Sequence, residues 1–157
     1  MGTIVVGYVA SAEGRAALTR GVEEAKLRSW RLIVANSNKG GHSLDRDEAL
    51  RLEAELNQVR ADLEATGLDF DVRGLVRGQE ISEDMVDLAT EVDAELIVIG
   101  IRRRSPVGKL VLGSTAATIL LEADCTVIAA RVRPYPRGGR RVAAPLPGRH
   151  RRDGLHR

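Results

Sequence analysis

The sequence predicts an α/β fold: one open five-stranded parallel sheet, order 3-2-1-4-5, with helices on both faces. Three observations carry this. Short apolar runs alternate with amphipathic stretches from Thr3 to Val132, in the pattern β-α-β-α-β-α-β-α-β. The first and fourth runs, TIVVGYV and LIVI, lack polar alternation, as strands buried on both faces do. The third run alternates instead, which suits an edge strand with one wetter face.

The first strand is Thr3 to Val9. Ser11 is placed to cap a helix from Ala12 to Ser29, in which Leu18, Val22 and Ala25 share a face. Gly14 and Gly21 weaken that helix but permit close packing on a sheet. Leu32 to Ser37 (LIVANS) is the second strand, followed by a connection, NKGGHS. A long helix from Leu44 to Thr66 carries the stripe Leu52, Leu56, Val59 and Leu63 opposite a charged face, and Gly67 fits its C′ position. The stripe is too short for a coiled coil and fits packing on a sheet.

The third strand holds Phe70, Val72, Gly74 and Val76, alternating with Asp71, Arg73 and Leu75. Ile81, Met85, Leu88 and Val92 mark the third helix. Leu96 to Ile99 is the fourth strand, ending at Gly100. A basic loop with Arg102, Arg103, Arg104 and Lys109 follows. The Gly-Ser-Thr at 113–115 then opens a helix reaching about Ala123, and Thr126 to Val132 is the last strand.

With the first and fourth strands central and the third at an edge, the chain direction reverses between strands 1 and 4. Ligands of open α/β sheets bind at the carboxyl ends of strands at such a switch point. Here those ends are Tyr8-Val9 and Gly100-Ile101. A helix start with free N–H groups, the positive end of its dipole and nearby arginines all suit a phosphate. The stretch Leu96 to Thr115 therefore has two readings: a phosphate site, or a solvent-exposed loop with ordinary surface arginines.

Composition narrows the function classes. The chain of 157 residues predicts one domain over 1–132 and a basic Pro/Gly/Arg-rich tail over 133–157, expected to be disordered. Residues 1–130 carry 15 Lys+Arg against 21 Asp+Glu, whereas residues 131–157 carry nine Arg against one Asp. The overall net charge of +2 is thus a property of the tail and does not mark a nucleic-acid-binding fold. No apolar run is long enough to span a membrane. Cys125 is the single cysteine, which excludes an intrachain disulfide and makes a reducing cytoplasm the expected location. His42 falls in a connection, and His150 and His156 fall in the tail. No catalytic residues, Ser-His-Asp arrangement or metal-ligand cluster is expected, and at most slow ATP hydrolysis. Cys125 reads as a small buried hydrophobe.

Gly108-Lys109 is not a Walker A loop: Arg103 and Leu110 stand where that motif needs Gly and Ser or Thr. The spacing that remains is Gly100, two residues, Arg103, nine residues, Gly113-Ser114. This resembles the universal stress protein family, whose ATP-binding branch carries the loop G-x2-G-x9-G-[S/T]. The flanking LIVIG, SPVGKLVLGST and DCTVIA, and the opening IVVGYVASAEGRAAL, resemble it too, so the likeness runs from about Thr3 to Arg131. Two positions depart. Arg103 replaces the second loop glycine, and Val9 stands where nucleotide binders carry an Asp that contacts the nucleoside.

The resemblance implies an adenine nucleotide alpha hydrolase-like fold and a cytoplasmic stress-response regulator or sensor binding ATP or AMP, with Mg accompanying the nucleotide. By resemblance, the phosphates lie on Gly113, Ser114 and Thr115 with Arg102 or Arg103, beside Gly100, and the adenine lies near Tyr8, Val9 and Ala35. It also implies a homodimer through the last strand. Thr126, Val127, Ile128, Ala129 and Ala130 give that expectation a physical basis, being an apolar strand at a sheet edge. No specific nucleic-acid partner is expected. The alternative function is a dimeric protein-interaction module without nucleotide binding, which Val9 and Arg103 favour.

Overall fold

The computed structural model describes residues 1–37, 45–75, 79–102 and 112–132. The elements are β1 (Thr3–Gly7), α1 (Ala12–Arg28), β2 (Arg31–Ser37), α2 (Arg46–Glu64) and β3 (Phe70–Leu75). They continue with α3 (Ile81–Glu91), β4 (Leu96–Ile101), α4 (Ser114–Glu122) and β5 (Thr126–Arg131). The five strands form one parallel sheet in the order β3-β2-β1-β4-β5, as the alternation of elements predicts. Arg103, Arg104, Lys109, His42 and the tail 133–157 lie outside the described residues.

Each face of the sheet carries its own core, because successive strand residues point to opposite sides. Ile4, Val6, Leu32, Val34, Leu96 and Val98 pack with Ala17, Ala25, Leu56, Val59 and Leu63 from α1 and α2. Val5, Ile33, Ala35, Ile97 and Ile99 pack with Met85, Leu88 and Ile119 from α3 and α4. The central strands β1 and β4 supply both clusters, which is why their sequences show no polar alternation.

The α1 seam is built of small residues. Gly14, Ala17, Gly21 and Ala25 are buried, while Leu18 and Val22 are only partly buried against the same core. A Cβ on Gly21 would lie 2.3 Å from Val6 Cγ2, so glycine sets how closely α1 approaches β1. Ser11 caps the helix as expected, its Oγ accepting from the Gly14 N–H at 3.3 Å. Glu24, 3% exposed on this helix, is held by Arg20 at 2.6 Å and by Arg28.

Several bounds differ from the sequence reading. β1 stops at Gly7, and Tyr8-Val9 begin the turn into α1, although Tyr8 N still donates to Ala35 O at 2.9 Å. β4 runs on through Gly100 to Ile101, because β5 pairs with it there (Gly100 with Ala130, Ile101 with Arg131). α2 spans Arg46–Glu64 with Ala65 as C-cap, so Gly67, at φ 72°, stands two residues past the cap rather than at C′. α3 ends at Glu91, with Val92 as its C-cap. Among the described residues β5 pairs with β4 alone and is half-covered on both faces: Ile128 and Ala130 pack on one cluster and Val127 on the other.

Candidate functional site

A cleft of about 440 Å³ opens at the carboxyl ends of β1 and β4, where the chain direction reverses. Its size falls within the range of small-molecule sites. Of the nine residues singled out in the sequence, Tyr8, Val9, Ala35, Gly100, Arg102, Gly113, Ser114 and Thr115 all line it; Arg103 lies outside the described residues.

The cleft has two unlike ends. One is apolar, walled by Ala35, Ile99, Ile81 and Met85 from β2, β4 and α3. The other is made by α4 and the end of β4. Gly113 is the N-cap of α4 at φ −65°, and no side chain of the described residues caps that helix start. The first intrahelical bond is Ala117 N to Gly113 O at 3.0 Å, so the amides of Ser114, Thr115 and Ala116 precede the ladder and stand at the positive end of the dipole. Arg102 adds a full positive charge beside them.

Gly100 has a structural reason independent of any ligand. A Cβ there would sit 1.9 Å from the carbonyl oxygen of Glu13, in the first turn of α1. α1 and β4 touch backbone to backbone at this point. That approach brings the Glu13 carboxylate to Arg102, whose Nε lies 2.9 Å from Glu13 Oε1. The cationic end therefore carries its own internal carboxylate, which the sequence reading did not single out. Gly113 is the opposite case: no described atom lies within 4 Å of a Cβ placed on it.

Tyr8 takes part through its backbone. Its carbonyl accepts from Asn36 Nδ2 at 3.0 Å, and its ring belongs to the cluster on the α1–α2 side of the sheet. There the phenol donates to Glu55 Oε1 at 2.5 Å. Burial, and next the hydrogen bond that Glu55 accepts from it, hold this phenol well above the ordinary tyrosine range. Val9, 40% exposed, presents an apolar side chain to the mouth of the cleft.

The sequence reading also missed Ser37, Ile81 and Met85. Ser37 was legible as the carboxyl end of a parallel strand beside the switch point. The two α3 residues were legible only as core. Cys125 lies away from this cleft, half-buried against the α3–α4 cluster, with burial pushing its thiol upward. Among the described residues, no group of three or more His, Cys, Asp or Glu is placed to hold a metal ion, and no helix is long and apolar enough to cross a membrane.

Comparison with known proteins yields a consistent picture. The universal stress protein family model matches residues 1–131. A universal stress protein of Mycolicibacterium smegmatis is 44% identical over 132 residues, covering 84% of this chain and 98% of that protein. Among solved structures, a universal stress protein from Archaeoglobus fulgidus aligns with TM-score 0.72 and 37% identity, over 83% of this chain and 98% of its own. The universal stress protein from Archaeoglobus fulgidus in complex with dAMP aligns with TM-score 0.67 and 32% identity, with the same two shares.

Proposed function

This chain belongs to the universal stress protein family, and we propose that it binds an adenine nucleotide, AMP or ATP, in the cleft between β1 and β4. The observation that carries the proposal is the polarity of that cleft. The start of α4, which no described side chain caps, and Arg102 face the phosphate end, and an apolar wall at the other end suits a base. The Archaeoglobus fulgidus relative solved with dAMP supports the same ligand class.

In this reading the phosphates rest on the amides of Ser114 and Thr115, with Gly113 leaving room and Arg102 supplying charge. The sugar passes Gly100 and Val9. The base lies against Ala35, with only the backbone of Tyr8 contributing because its phenol is committed to Glu55. Mg2+ would arrive with the phosphates of ATP. The cellular role that follows is a cytoplasmic stress-response sensor or regulator, working as a homodimer paired through β5.

Calorimetric titration of AMP and ATP tests the binding. The unmodified protein should bind one equivalent. Gly113→Val, which fills the space above the helix start, should lose tenfold or more in affinity. Ser114→Ala should lose about threefold or less, because its main contribution is a backbone N–H. Absence of heat at millimolar nucleotide would leave the second reading, a dimeric interaction module. That reading draws on Val9, where the family's nucleotide binders carry an acid, and on the exposed Leu120 and Leu121 of α4.

A further inference from the structure

β2 ends on Ser37, whose side chain shares a face of the sheet with Ala35 and lines the apolar end of the cleft. Ser37 Oγ donates a hydrogen bond to Oδ2 of Asp84 on α3. Asp84 is 0% exposed, and its other oxygen, Oδ1, is buried with no hydrogen-bond partner among the described residues. It stands in the first turn of α3, where the helix dipole favours a negative charge. Packing alone does not call for this pair. A buried carboxylate with an oxygen left without a partner among the described residues costs stability.

The consequence is directional. A serine hydroxyl has one proton and two lone pairs. With the proton committed to Asp84, Ser37 has only lone pairs left for whatever enters the cleft. The neighbouring wall residues Ala35, Ile81, Met85 and Ile99 have apolar side chains. Among the side chains of the described residues lining this end, a ligand edge that meets the Ser37 hydroxyl must therefore present a donor.

We propose that Ser37, oriented by Asp84, is the specificity determinant of the cleft: it accepts a hydrogen bond from the exocyclic 6-amino group of a purine and so selects 6-aminopurine over 6-oxopurine nucleotides. This rests on the nucleotide-binding reading above and adds to it the group that reads the base. A 6-oxopurine would set a carbonyl oxygen against the Ser37 lone pairs. Both acceptors would then be buried unsatisfied, a mismatch that discriminates far more sharply than a difference in apolar contact. Asp84 is a positioning residue in this scheme and touches no ligand.

The test is competitive titration of the full chain with AMP, IMP and the 6-unsubstituted purine nucleoside monophosphate. The unmodified protein should prefer AMP to both by tenfold or more. In Ser37→Ala the preference for AMP over IMP should fall toward one. In Asp84→Asn it should fall at least as far, because an amide can donate to Ser37 and turn the hydroxyl proton into the cleft. Thermal melts report whether each variant folds. If Asp84→Asn does not, Ser37→Ala and the ligand series on the unmodified protein still decide. Equal binding of AMP and IMP overturns the proposal while leaving nucleotide binding intact. So does an unchanged ratio in Ser37→Ala, which would make the pair a structural tie between β2 and α3 only. Failure of all three ligands to bind removes the nucleotide reading and this proposal together.

Discussion

Replacing Gly100 with alanine tests how α1 is seated on β4 and, with it, the geometry of the cleft. The added Cβ would lie 1.9 Å from Glu13 O, 2.5 Å from Glu13 C and 2.9 Å from Glu13 Cα. All three are backbone atoms, so no side chain can swing aside. Ordinary contact begins near 3.4 Å, so the first turn of α1 must retreat by about 1.5 Å. Overpacking of this kind costs about 1–3 kcal/mol, and an obstruction made of backbone belongs at the upper end. For a domain of this size about 3 kcal/mol lowers Tm by about 6–12 °C. Thermal unfolding followed by circular dichroism reads the effect directly. The companion substitution is Gly113→Ala, where no described atom lies within 4 Å of the new Cβ and φ is −65°. It should leave Tm within about 1 °C while weakening AMP binding, because Gly113 lines the cleft. A Gly100→Ala variant that melts within about 2 °C of the parent would refute the close approach of α1 and β4.

The Glu13–Arg102 pair makes the cationic end partly self-neutralised. Arg102→Ala should weaken AMP binding about tenfold, and Glu13→Gln should strengthen it severalfold, both read by calorimetry at low salt. Tyr8 bears on alkaline stability. Its folded phenol is held above the ordinary value near 10, so its contribution is complete below about pH 10 and is lost as pH rises beyond that. Urea melts at pH 9 and pH 11 should show a smaller loss for Tyr8→Phe than for the parent, and equal losses would contradict the buried phenol. The β5 edge predicts a homodimer. Ile128→Lys should shift the light-scattering mass from dimer to monomer, and a monomeric parent at micromolar concentration would sink the assembly proposal.

The architecture was legible because two patterns agreed. Strands β1 and β4 read as apolar at every position, which requires both faces to be covered, and β3 read as alternating, which places it at an edge. The order 3-2-1-4-5 satisfies both, and the switch point follows from the order. The basic loop and Gly113-Ser114 then led to the same end of the sheet. What escaped the sequence depends on how elements approach one another. Nothing in the spacing of Glu13 and Arg102 shows that they meet; the glycine contact between α1 and β4 brings them together. Asp84 looked like one more acidic residue in the first turn of a helix, and only its complete burial behind Ser37 separates it from Glu83. Gly21 packs on the sheet at Val6, and Leu18, Val22 and Ala25 face the same core as their spacing implies, whereas the contact of Gly14 with the backbone of Val9 in the turn after β1 is not visible in the sequence. Tyr8 was placed near the base without its phenol's commitment to Glu55, a pairing 47 residues apart in the chain.

The central claim is that an adenine nucleotide occupies the cleft with its phosphates on the start of α4. The most direct measurement is an amide chemical-shift titration of the isotope-labelled protein with AMP. The account predicts saturable shifts at Ser114, Thr115 and Ala116, at Gly100 and Arg102, and at Ala35 and Ser37. Residues of β3 and of the outer face of α2 should stay still. No shifts at millimolar AMP, or shifts confined to residues away from this cleft, would contradict it.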